Sequence, residues 1–391
     1  MKVCFLTTSF PAFEEDIQSP FILRLAKAIV KEDIKVTVVC PFYQKSLKKE
    51  ESYEGVKIKR FQYMFRKIQT ITEGEGVSSF MKSFWGLVQG VTFLTAMFYR
   101  GFKETKDADL IHCQWALSGL PAYFISRLRR IPYIITLRGE DVTLAKKKLF
   151  RSVQKFLFKR AGYLASNNQA LLDEVSYPGL KTPMEMITNG VSLETFGAGN
   201  GPAMRKKFNI SSDEKVVLFI GWMIKRKGVD YLLKGWSKLK GEKRKLLLVG
   251  EGPDQDEFEK LAEDLGIKEQ VIFAGKSLPT EIPSVLAAAD IFILPSLAEG
   301  MPNVVMEAMA AGKPVVATRV QGTPQLMGDM GILIDSKNSE QITKALQELI
   351  DNPEKCSSFA KGGKQRIINL GLTWKNSAEN YEEIYKKVLG K

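Results

Sequence analysis

Short apolar runs rich in β-branched residues alternate with helical patterns along the whole chain. The runs fall into two series, at 3–7, 35–40, 109–113, 133–137, 162–166 and 184–188, and then at 216–221, 245–250, 270–275, 291–295 and 314–318. Apolar strands that alternate with helices are typical of parallel sheets covered by helices on both faces. The two series therefore predict an α/β protein with two Rossmann-like domains.

The length and composition agree with two domains of ordinary size. The chain has 391 residues, of which 45% are apolar and 26% are charged, so it can form full cores and is too apolar to be disordered. A Gly- and Pro-rich stretch at 197–202 separates the two series of strands. We predict an N-terminal domain over 1–193, a C-terminal domain over 194–372 and an amphipathic helix over 373–391.

The cysteines and the histidine limit the kinds of disulfide and metal site that the chain can form. The four cysteines are scattered without a CxxC pair, which indicates free thiols in a reducing compartment. The first apolar stretch is only about four residues long, shorter than a secretory signal requires, so we predict a cytoplasmic protein. Because His112 is the single histidine, a zinc site built on several histidines is excluded. We expect no metal and no bound cofactor.

Positive charge is concentrated in the first half of the chain. Residues 1–190 contain 29 Lys and Arg against 18 Asp and Glu, whereas the remainder contains 28 against 26. A basic half beside a neutral half points to an anionic surface or substrate that the N-terminal half meets. Because no nucleic-acid-binding pattern accompanies the charge, we predict no nucleic-acid partner and favour an anionic membrane surface.

The stretch 294–322 carries the richest pattern, because it predicts a strand, a loop, a helix and a strand in succession. Glu299 falls in the loop after the strand, where open α/β sheets bind their ligands. Glu307 follows in the helix and can face the same ligand, so its carboxylate could accept both hydroxyls of a ribose. Backbone amides at the start of that helix suit a phosphate, and we place Gly300, Met301, Pro302, Asn303 and Val304 there. The alternative is that Glu299 only offsets the helix dipole and Glu307 is solvated.

The two glutamates lie inside PSLAEGMPNVVMEAMAAGKPVVAT, and this segment resembles the signature of the GT4 family of retaining glycosyltransferases. Further segments are similar to that family: FIGWMIKRKGVDYLLKGW, LLLVGEGPD, VIFAGK, ITNGVSLETF and the N-terminal PFILRLAKAIV. The resemblance covers nearly the whole chain. It implies a GT-B architecture, in which two Rossmann-like domains face a central cleft and the C-terminal helix crosses back to the N-terminal domain. The donor would be a nucleotide sugar, held mainly by the C-terminal domain, and the N-terminal domain would bind the acceptor.

The resemblance also implies roles for single residues. Glu307 would bind the donor ribose, Glu299 the hydroxyls of the transferred sugar, and Lys227 the diphosphate as a point charge. The remaining donor-site residues that it implies are Gly221, Arg226, Gly250, Gly252, Lys276 and Leu278. The alternative for Lys227 is a solvated lysine before a helix, and for Gly250 an ordinary strand-to-helix turn.

Several positions depart from the family pattern. Arg138 stands where the family usually has a histidine, and it could contact a phosphate but could not act as a base; the alternative is that it pairs with Asp141 or Glu140. Asp141 matches the family aspartate and completes our catalytic set of Glu299, Lys227, Arg138 and Asp141. We interpret His112 as a hydrogen-bonded structural residue. Two further departures, at Trp222 and Gln325, place the phosphate contacts in question, and Lys225 or Arg226 could supply the charge missing at 222.

Two segments bear on a membrane surface. The uncharged run 83–99 is 17 residues long, at the lower limit for a membrane span. We expect it to be a buried helix, and the alternatives are interfacial docking and, after that, a membrane span. Residues 149–160 predict a basic amphipathic helix with Leu149, Val153, Phe156 and Leu157 on one face. We expect this face to pack on the sheet, and an interfacial helix is the alternative.

These observations lead to one function and its alternatives. We predict a glycosyltransferase of the hexosyltransferase type that moves a sugar from a nucleoside-diphosphate donor, by family precedent a UDP-sugar, with retention of configuration. The acceptor would be a polysaccharide or glycolipid precursor, and loops such as 41–55 and 64–80 would recognise it. The alternatives are a scaffold that has lost the donor site and another GT-B enzyme, such as a sugar-nucleotide epimerase.

Overall fold

The structure is a computed structural model that describes residues 1–14, 16, 18–43, 46, 48–69, 83–138, 141 and 147–391. Backbone contacts divide the chain into two compact units. The first comprises 1–190 together with 374–391, and the second comprises 191–373. Each unit has its own sheet and core.

The first unit is built on a sheet with the strand order β3-β4-β2-β1-β5-β6-β7-β8. Its strands are β1 (Lys2–Thr7), β2 (Lys35–Pro41), β3 (Glu50–Tyr53), β4 (Val56–Phe61), β5 (Leu110–Gln114), β6 (Tyr133–Leu137), β7 (Tyr163–Ser166) and β8 (Met184–Met186). All neighbours pair in parallel except β3 and β4, which pair antiparallel. The helices are α1 (Pro20–Lys31), α2 (Phe84–Glu104), α3 (Gly119–Arg129), α4 (Lys148–Phe158), α5 (Gln169–Val175) and the C-terminal α15 (Trp374–Leu389), numbered in chain order.

Helices cover both faces of this sheet, because successive side chains of a strand point to opposite faces. Val3 and Phe5 of β1 belong to a core that α1 and α15 close, and Cys4 and Leu6 belong to a second core closed by α2, α3 and α4. The sheet is therefore buried on both sides, which explains its near-continuous apolar strands. Since α15 packs on α1, the end of the chain belongs to the first unit.

The second unit has a parallel sheet with the strand order β11-β10-β9-β12-β13-β14. Its strands are β9 (Lys215–Ile220), β10 (Arg244–Val249), β11 (Val271–Phe273), β12 (Ile291–Leu294), β13 (Val315–Thr318) and β14 (Ile332–Ile334). Its helices are α6 (Leu193–Gly197), α7 (Gly201–Lys207), α8 (Val229–Trp236), α9 (Gln255–Asp264), α10 (Ile282–Ala288), α11 (Asn303–Ala310), α12 (Thr323–Met327), α13 (Ser339–Asp351) and α14 (Pro353–Asn369). The predicted α/β class with two Rossmann-like sheets is confirmed.

The expected loop 41–55 contains a strand that the prediction lacks. Glu54 and Gly55 have φ values of 44° and 85° and form the tight turn between β3 and β4. Positive φ at both central positions is the turn geometry that suits the twist of a hairpin. Most of the other expected loop, 64–80, lies outside the described residues.

Two expectations about helices are wrong in part. The run 83–99 is not a buried helix, since Phe93 and Met97 of α2 are buried but Val91 is 68% exposed. On α4, Leu157 is buried as expected, whereas Leu149 is 73% exposed. In each helix the buried stripe is narrower than the apolar pattern, because one side of the helix suffices to cover the sheet.

Candidate active site

Five loops of the second unit lie at one edge of its sheet, because the carboxyl ends of parallel strands point in the same direction. They follow β9, β10, β11, β12 and β13 and span 221–228, 250–254, 274–281, 295–302 and 319–322. Ligands of open α/β sheets bind at this edge. Every residue that we predicted for donor binding lies in these loops or in the first turns of α11.

Lys227 and Glu299 form an ion pair at this edge. The Nζ of Lys227 lies 2.5 Å from Oε1 of Glu299, with 16% and 12% of the two side chains exposed. Ser296 donates a hydrogen bond of 2.7 Å from its Oγ to the same carboxylate oxygen. The alternative of a solvated lysine is therefore wrong in this structure, and two predicted site residues, 72 positions apart, are in contact.

A close approach of two backbones positions this pair. Gly228 follows Lys227 with a φ of +70°, and a Cβ built on it would lie 2.1 Å from the carbonyl oxygen of Pro295. The amide of Leu297 donates a 2.8 Å hydrogen bond to the carbonyl of Arg226. Only glycine fits this contact, because it has no Cβ and readily adopts the left-handed backbone conformation.

The start of α11 offers backbone donors. Its N-cap position is Pro302, which makes no side-chain capping hydrogen bond, and its first turn carries no acidic residue. Proline has no amide hydrogen, so Pro302 cannot donate as we expected, and the donors of this segment are Gly300, Met301, Asn303 and Val304. Glu307 lies five residues into α11, half-buried.

Glycines let the loops after β9 and β10 touch. A Cβ on Gly250 would lie 1.9 Å from the carbonyl oxygen of Gly221, and one on Gly252 would lie 2.5 Å from that of Met223. The amides of Gly221 and Met223 donate to the carbonyls of Val249 and Glu251. A bulkier residue than glycine at 250 or 252 would separate the two loops.

The outer part of this edge is exposed. Lys276 pairs with Glu251 at 3.5 Å, and Leu278 is 44% exposed. Arg226 and Trp222 are also exposed, and Lys225 pairs with Glu257 at 3.0 Å. A ligand could therefore reach these residues from solvent.

Arg138 and Asp141 lie in the first unit, after β6. The guanidinium of Arg138 donates to Oδ1 of Asn189 at 3.0 Å and to Oε1 of Gln114 at 2.9 Å. Its carbon lies 4.5 Å from the ring centroid of Phe21. Asp141 accepts from the amides of Arg138, at 2.8 Å, and of Ala116, at 2.9 Å.

The buried guanidinium of Arg138 retains donors. Its Nε is buried and has no hydrogen-bond partner among the residues that the structure describes, and burial lowers the pKa of the group. Buried polar groups are normally paired, so this nitrogen is a candidate donor to a ligand. Asn189, Gln114 and Phe21 were absent from our predicted site, although Gln114 stands in the segment DLIHCQW that we compared with the family.

His112 is the centre of a buried network beside Arg138. Its Nδ1 lies 2.7 Å from the hydroxyl of Tyr385 in α15, and its Nε2 lies 2.7 Å from Oγ1 of Thr136. The prediction of a hydrogen-bonded residue is confirmed. Burial, followed by the charge of Arg138, lowers the pKa of His112 well below its usual value.

Acid is therefore expected to destabilise the protein through His112. Below a pH of about 6.5 the imidazole of the unfolded chain binds a proton, whereas the native imidazole stays neutral. The free energy of unfolding therefore has its full value above this pH and falls below it. We expect a loss of about 1.4 kcal/mol between pH 7.5 and 5.5, measured by denaturant unfolding. In His112→Gln this slope should disappear, and a slope that persists would exclude His112 as its source.

Within the described residues, no group of three or more His, Cys, Asp and Glu side chains is arranged to hold a metal ion. The same part of the chain contains no helix long and apolar enough to cross a membrane.

Comparison with known proteins identifies the family. The model of the glycosyl transferases group 1 matches residues 201–366, and that of Glycosyltransferase Family 4 matches residues 18–195. The chain belongs to this family of GT-B glycosyltransferases and is a glycosyltransferase.

Among curated proteins, one relative is named D-inositol 3-phosphate glycosyltransferase, from Corynebacterium glutamicum. It is 29% identical over 64% of this chain and 66% of its own length. A second, TuaC of Bacillus subtilis, is named for teichuronic acid biosynthesis and is 25% identical over 88% of both chains.

Two solved structures show the same fold. Sucrose-phosphate synthase from Thermosynechococcus elongatus aligns over 100% of both chains, with a TM-score of 0.81 and 19% identity. HepE from Anabaena, in complex with UDP and glucose, aligns over 98% of both chains, with a TM-score of 0.74 and 18% identity.

Proposed function

We propose that this enzyme transfers a sugar from a UDP-sugar to a polysaccharide or glycolipid precursor, with retention of configuration. The observation that carries the proposal is the Lys227–Glu299 pair beside the start of α11, where the N-cap residue Pro302 has no capping side chain. A cation and a set of backbone donors at the carboxyl edge of a parallel sheet suit a diphosphate. In this proposal the second unit binds the donor and the first unit binds the acceptor.

The Lys227–Glu299 pair suits the two parts of the donor. Glu299 accepts hydroxyl hydrogens of the transferred sugar, while the ammonium of Lys227 contacts the diphosphate. The pair keeps both charges compensated before the donor binds, since each is largely shielded from water. Glu307 accepts from the ribose, and the loops at Gly221, Gly250, Gly252, Lys276 and Leu278 contact the base.

The reaction that we propose breaks the bond between the anomeric carbon and the diphosphate oxygen. The acceptor oxygen bonds to the same face of that carbon, and its proton passes to the departing phosphate oxygen. Lys227 and the amides of Gly300, Met301, Asn303 and Val304 stabilise the growing negative charge of the diphosphate. In the first unit, the remaining N–H groups of Arg138 are candidate donors to an anionic ligand, and Asp141 holds the Arg138 backbone in place.

The relatives support the choice of donor and acceptor. HepE is described in complex with UDP-glucose. TuaC is named for teichuronic acid biosynthesis, and LpsE of Rhizobium meliloti, which is 30% identical over 54% of this chain, for lipopolysaccharide core biosynthesis. We therefore favour uridine for the base and a cell-surface glycan precursor for the acceptor.

Thermal unfolding with UDP, GDP or ADP tests the donor site. A ligand at 100 times its Kd adds about 2.7 kcal/mol of stability, which raises the Tm by several degrees. We expect this rise with UDP alone. If no nucleotide raises the Tm, the alternative of a scaffold that has lost the donor site is favoured. If GDP alone raises the Tm, the donor carries guanosine rather than uridine.

Glu307→Ala is expected to weaken UDP binding by about 10- to 100-fold, the usual effect of losing hydrogen bonds to a charged group. The affinity is measured by titration calorimetry. Glu354→Ala, which removes an exposed carboxylate from α14, is the matched control. Unchanged affinity in Glu307→Ala would remove this residue from the site.

A further inference from the structure

Four buried polar side chains of the first unit are joined by hydrogen bonds that lead from α15 to the loop after β6. The hydroxyl of Tyr385 lies 2.7 Å from Nδ1 of His112. The other ring nitrogen, Nε2, lies 3.1 Å from Nε2 of Gln114, whose Oε1 accepts from the guanidinium of Arg138 at 2.9 Å. We call these four residues the polar chain. Each is at most 5% exposed, so protein groups rather than water decide where its hydrogens lie.

The guanidinium of Arg138 fixes the orientation of the Gln114 amide. An arginine side chain offers only donors, so the amide must turn its oxygen towards Arg138. The NH2 group of Gln114 then faces Nε2 of His112 and is itself a donor. Nε2 must therefore accept. The hydrogen of the neutral imidazole lies on Nδ1, which donates it to the hydroxyl of Tyr385.

Two further hydroxyl groups agree with this assignment. Oγ1 of Thr136 lies 2.7 Å from Nε2 of His112 and 2.9 Å from the hydroxyl of Tyr381. Thr136 can donate to the imidazole while it accepts from Tyr381, so both hydroxyl groups have partners. Burial raises the pKa of Tyr381 and of Tyr385, which keeps both phenols protonated. Through these two tyrosines, α15 holds the imidazole in one tautomer.

The surroundings also keep the imidazole neutral. Among the described residues no carboxylate contacts it, and the ionisable groups that act on it are Arg138, Tyr381 and Tyr385. Burial and then the charge of Arg138 hold its pKa well below the usual value. A charged ring would present a donor to Gln114, whose amide would then have to turn its NH2 group towards Arg138. The neutral state of His112 and the orientation of Arg138 therefore require each other.

We infer that His112 and Gln114 are positioning residues, which aim the guanidinium of Arg138 at an anionic group of the ligand. Gln114 holds one end of the guanidinium, Asn189 holds the other at 3.0 Å, and Phe21 lies against its face. The buried Nε–H is left without a partner among the described residues. Since both partners are neutral amides, the positive charge stays available to the ligand. This inference rests on the proposed role of Arg138 and adds the residues that orient it.

The imidazole itself provides the first test, because His112 is the single histidine of the chain. In protein that contains isotope-labelled histidine, nitrogen NMR distinguishes a ring nitrogen that carries a hydrogen from one that does not. At neutral pH we expect the hydrogen on Nδ1 and a bare Nε2. A hydrogen on Nε2, in a neutral or a charged ring, would overturn the inferred order of hydrogen bonds.

Tyr385→Phe removes the acceptor of the Nδ1 hydrogen. We expect the hydrogen to move in part to Nε2, and the rate of UDP release from UDP-glucose to fall about three- to tenfold, the usual effect of one hydrogen bond. Tyr163→Phe is the matched control, since it removes a hydroxyl that bonds to Glu185 at 2.9 Å, in the same unit but outside the polar chain. Unchanged imidazole signals and rate in Tyr385→Phe, or equal losses in both variants, would contradict positioning by His112.

Gln114→Glu keeps the shape of the side chain but replaces the donor that faces His112 with a second acceptor. We expect Nε2 of His112 to carry a hydrogen in this variant and the pKa of the imidazole to rise, since a neighbouring carboxylate favours the charged ring. The rate of UDP release should fall about 10- to 100-fold, because the carboxylate also compensates the charge of Arg138. If Nε2 stays bare, Gln114 does not control the imidazole and the inference is wrong.

Arg138→Gln separates this inference from the proposed function. If this variant keeps the full rate of UDP release, Arg138 does not act in transfer and its proposed role is wrong. The imidazole signals are recorded without substrate and test the polar chain independently. If Arg138→Gln lowers the rate but Gln114→Glu does not, the role of Arg138 stands and its positioning by Gln114 is refuted.

Discussion

Replacement of Lys227 by alanine is expected to lower kcat/KM for sugar transfer by about 10²- to 10³-fold, the usual effect of removing one group that stabilises transition-state charge. The diphosphate would lose its cation as it departs. Glu299 is largely buried and has two partners at this edge, Lys227 and Ser296. In the variant only the hydrogen bond from the hydroxyl of Ser296 would remain. The measurement is the rate of UDP release from a UDP-sugar, with and without acceptor.

Two further variants serve as controls for this prediction. Lys238→Ala removes an exposed lysine from the same unit and should leave the rate unchanged. Lys227→Arg keeps the charge but changes its geometry, so we expect partial activity. If Lys227→Ala retains the full rate, the ion pair with Glu299 is structural and the proposed mechanism loses its principal cation.

Gly228→Ala is expected to disrupt the site and destabilise the second unit. The new Cβ would lie 2.1 Å from the carbonyl oxygen of Pro295, so the loops at 225–228 and 295–299 would have to separate. Backbone strain and a buried clash together are expected to cost about 3 kcal/mol or more of unfolding free energy. We also expect loss of UDP binding, because Lys227 and Glu299 would no longer meet.

Gly275→Ala separates the clash from the backbone strain. Gly275 has a φ of +65°, similar to Gly228, but no atom lies within 4 Å of a Cβ built on it. Its substitution should therefore cost only about 1–2 kcal/mol, the penalty of the left-handed conformation. Equal losses in the two variants, measured by denaturant unfolding, would show that the contact with Pro295 is not the cause.

The elements that sequence reasoning identified correctly are those with strong local patterns. The eleven predicted strands are all present, since each is a short apolar run between turn signals. The missed strands β3, β4 and β14 have weaker patterns. Lys57, Lys59 and Arg60 interrupt the apolar pattern of β4. The buried Arg60 pairs with Glu51 of β3 at 2.6 Å and donates to the carbonyl of Ala12 at 3.0 Å. The acidic partner of Arg60 lies nine residues away, in another strand, so the sequence of β4 alone does not show that this arginine can be buried.

The candidate site shows the same limit. The spacing of Glu299 and Glu307 pointed to a ligand site, and the family resemblance added Lys227. The partners that hold these groups came only from the structure. Ser296 is an ordinary serine in sequence, and Asn189 lies 51 residues from Arg138, which it orients. Such contacts arise from folding distant loops together and leave no periodic signal.

The packing of α15 against α1 has a consequence for biosynthesis. The second unit is one continuous segment, 191–373, and can form its core as soon as that segment has left the ribosome. The first unit needs 374–389 to close the core around α1, and Tyr385 to complete the partners of His112. The domain that is synthesised first is thus completed after the second, and its apolar surface beneath α15 must be kept from aggregation until α15 has been synthesised.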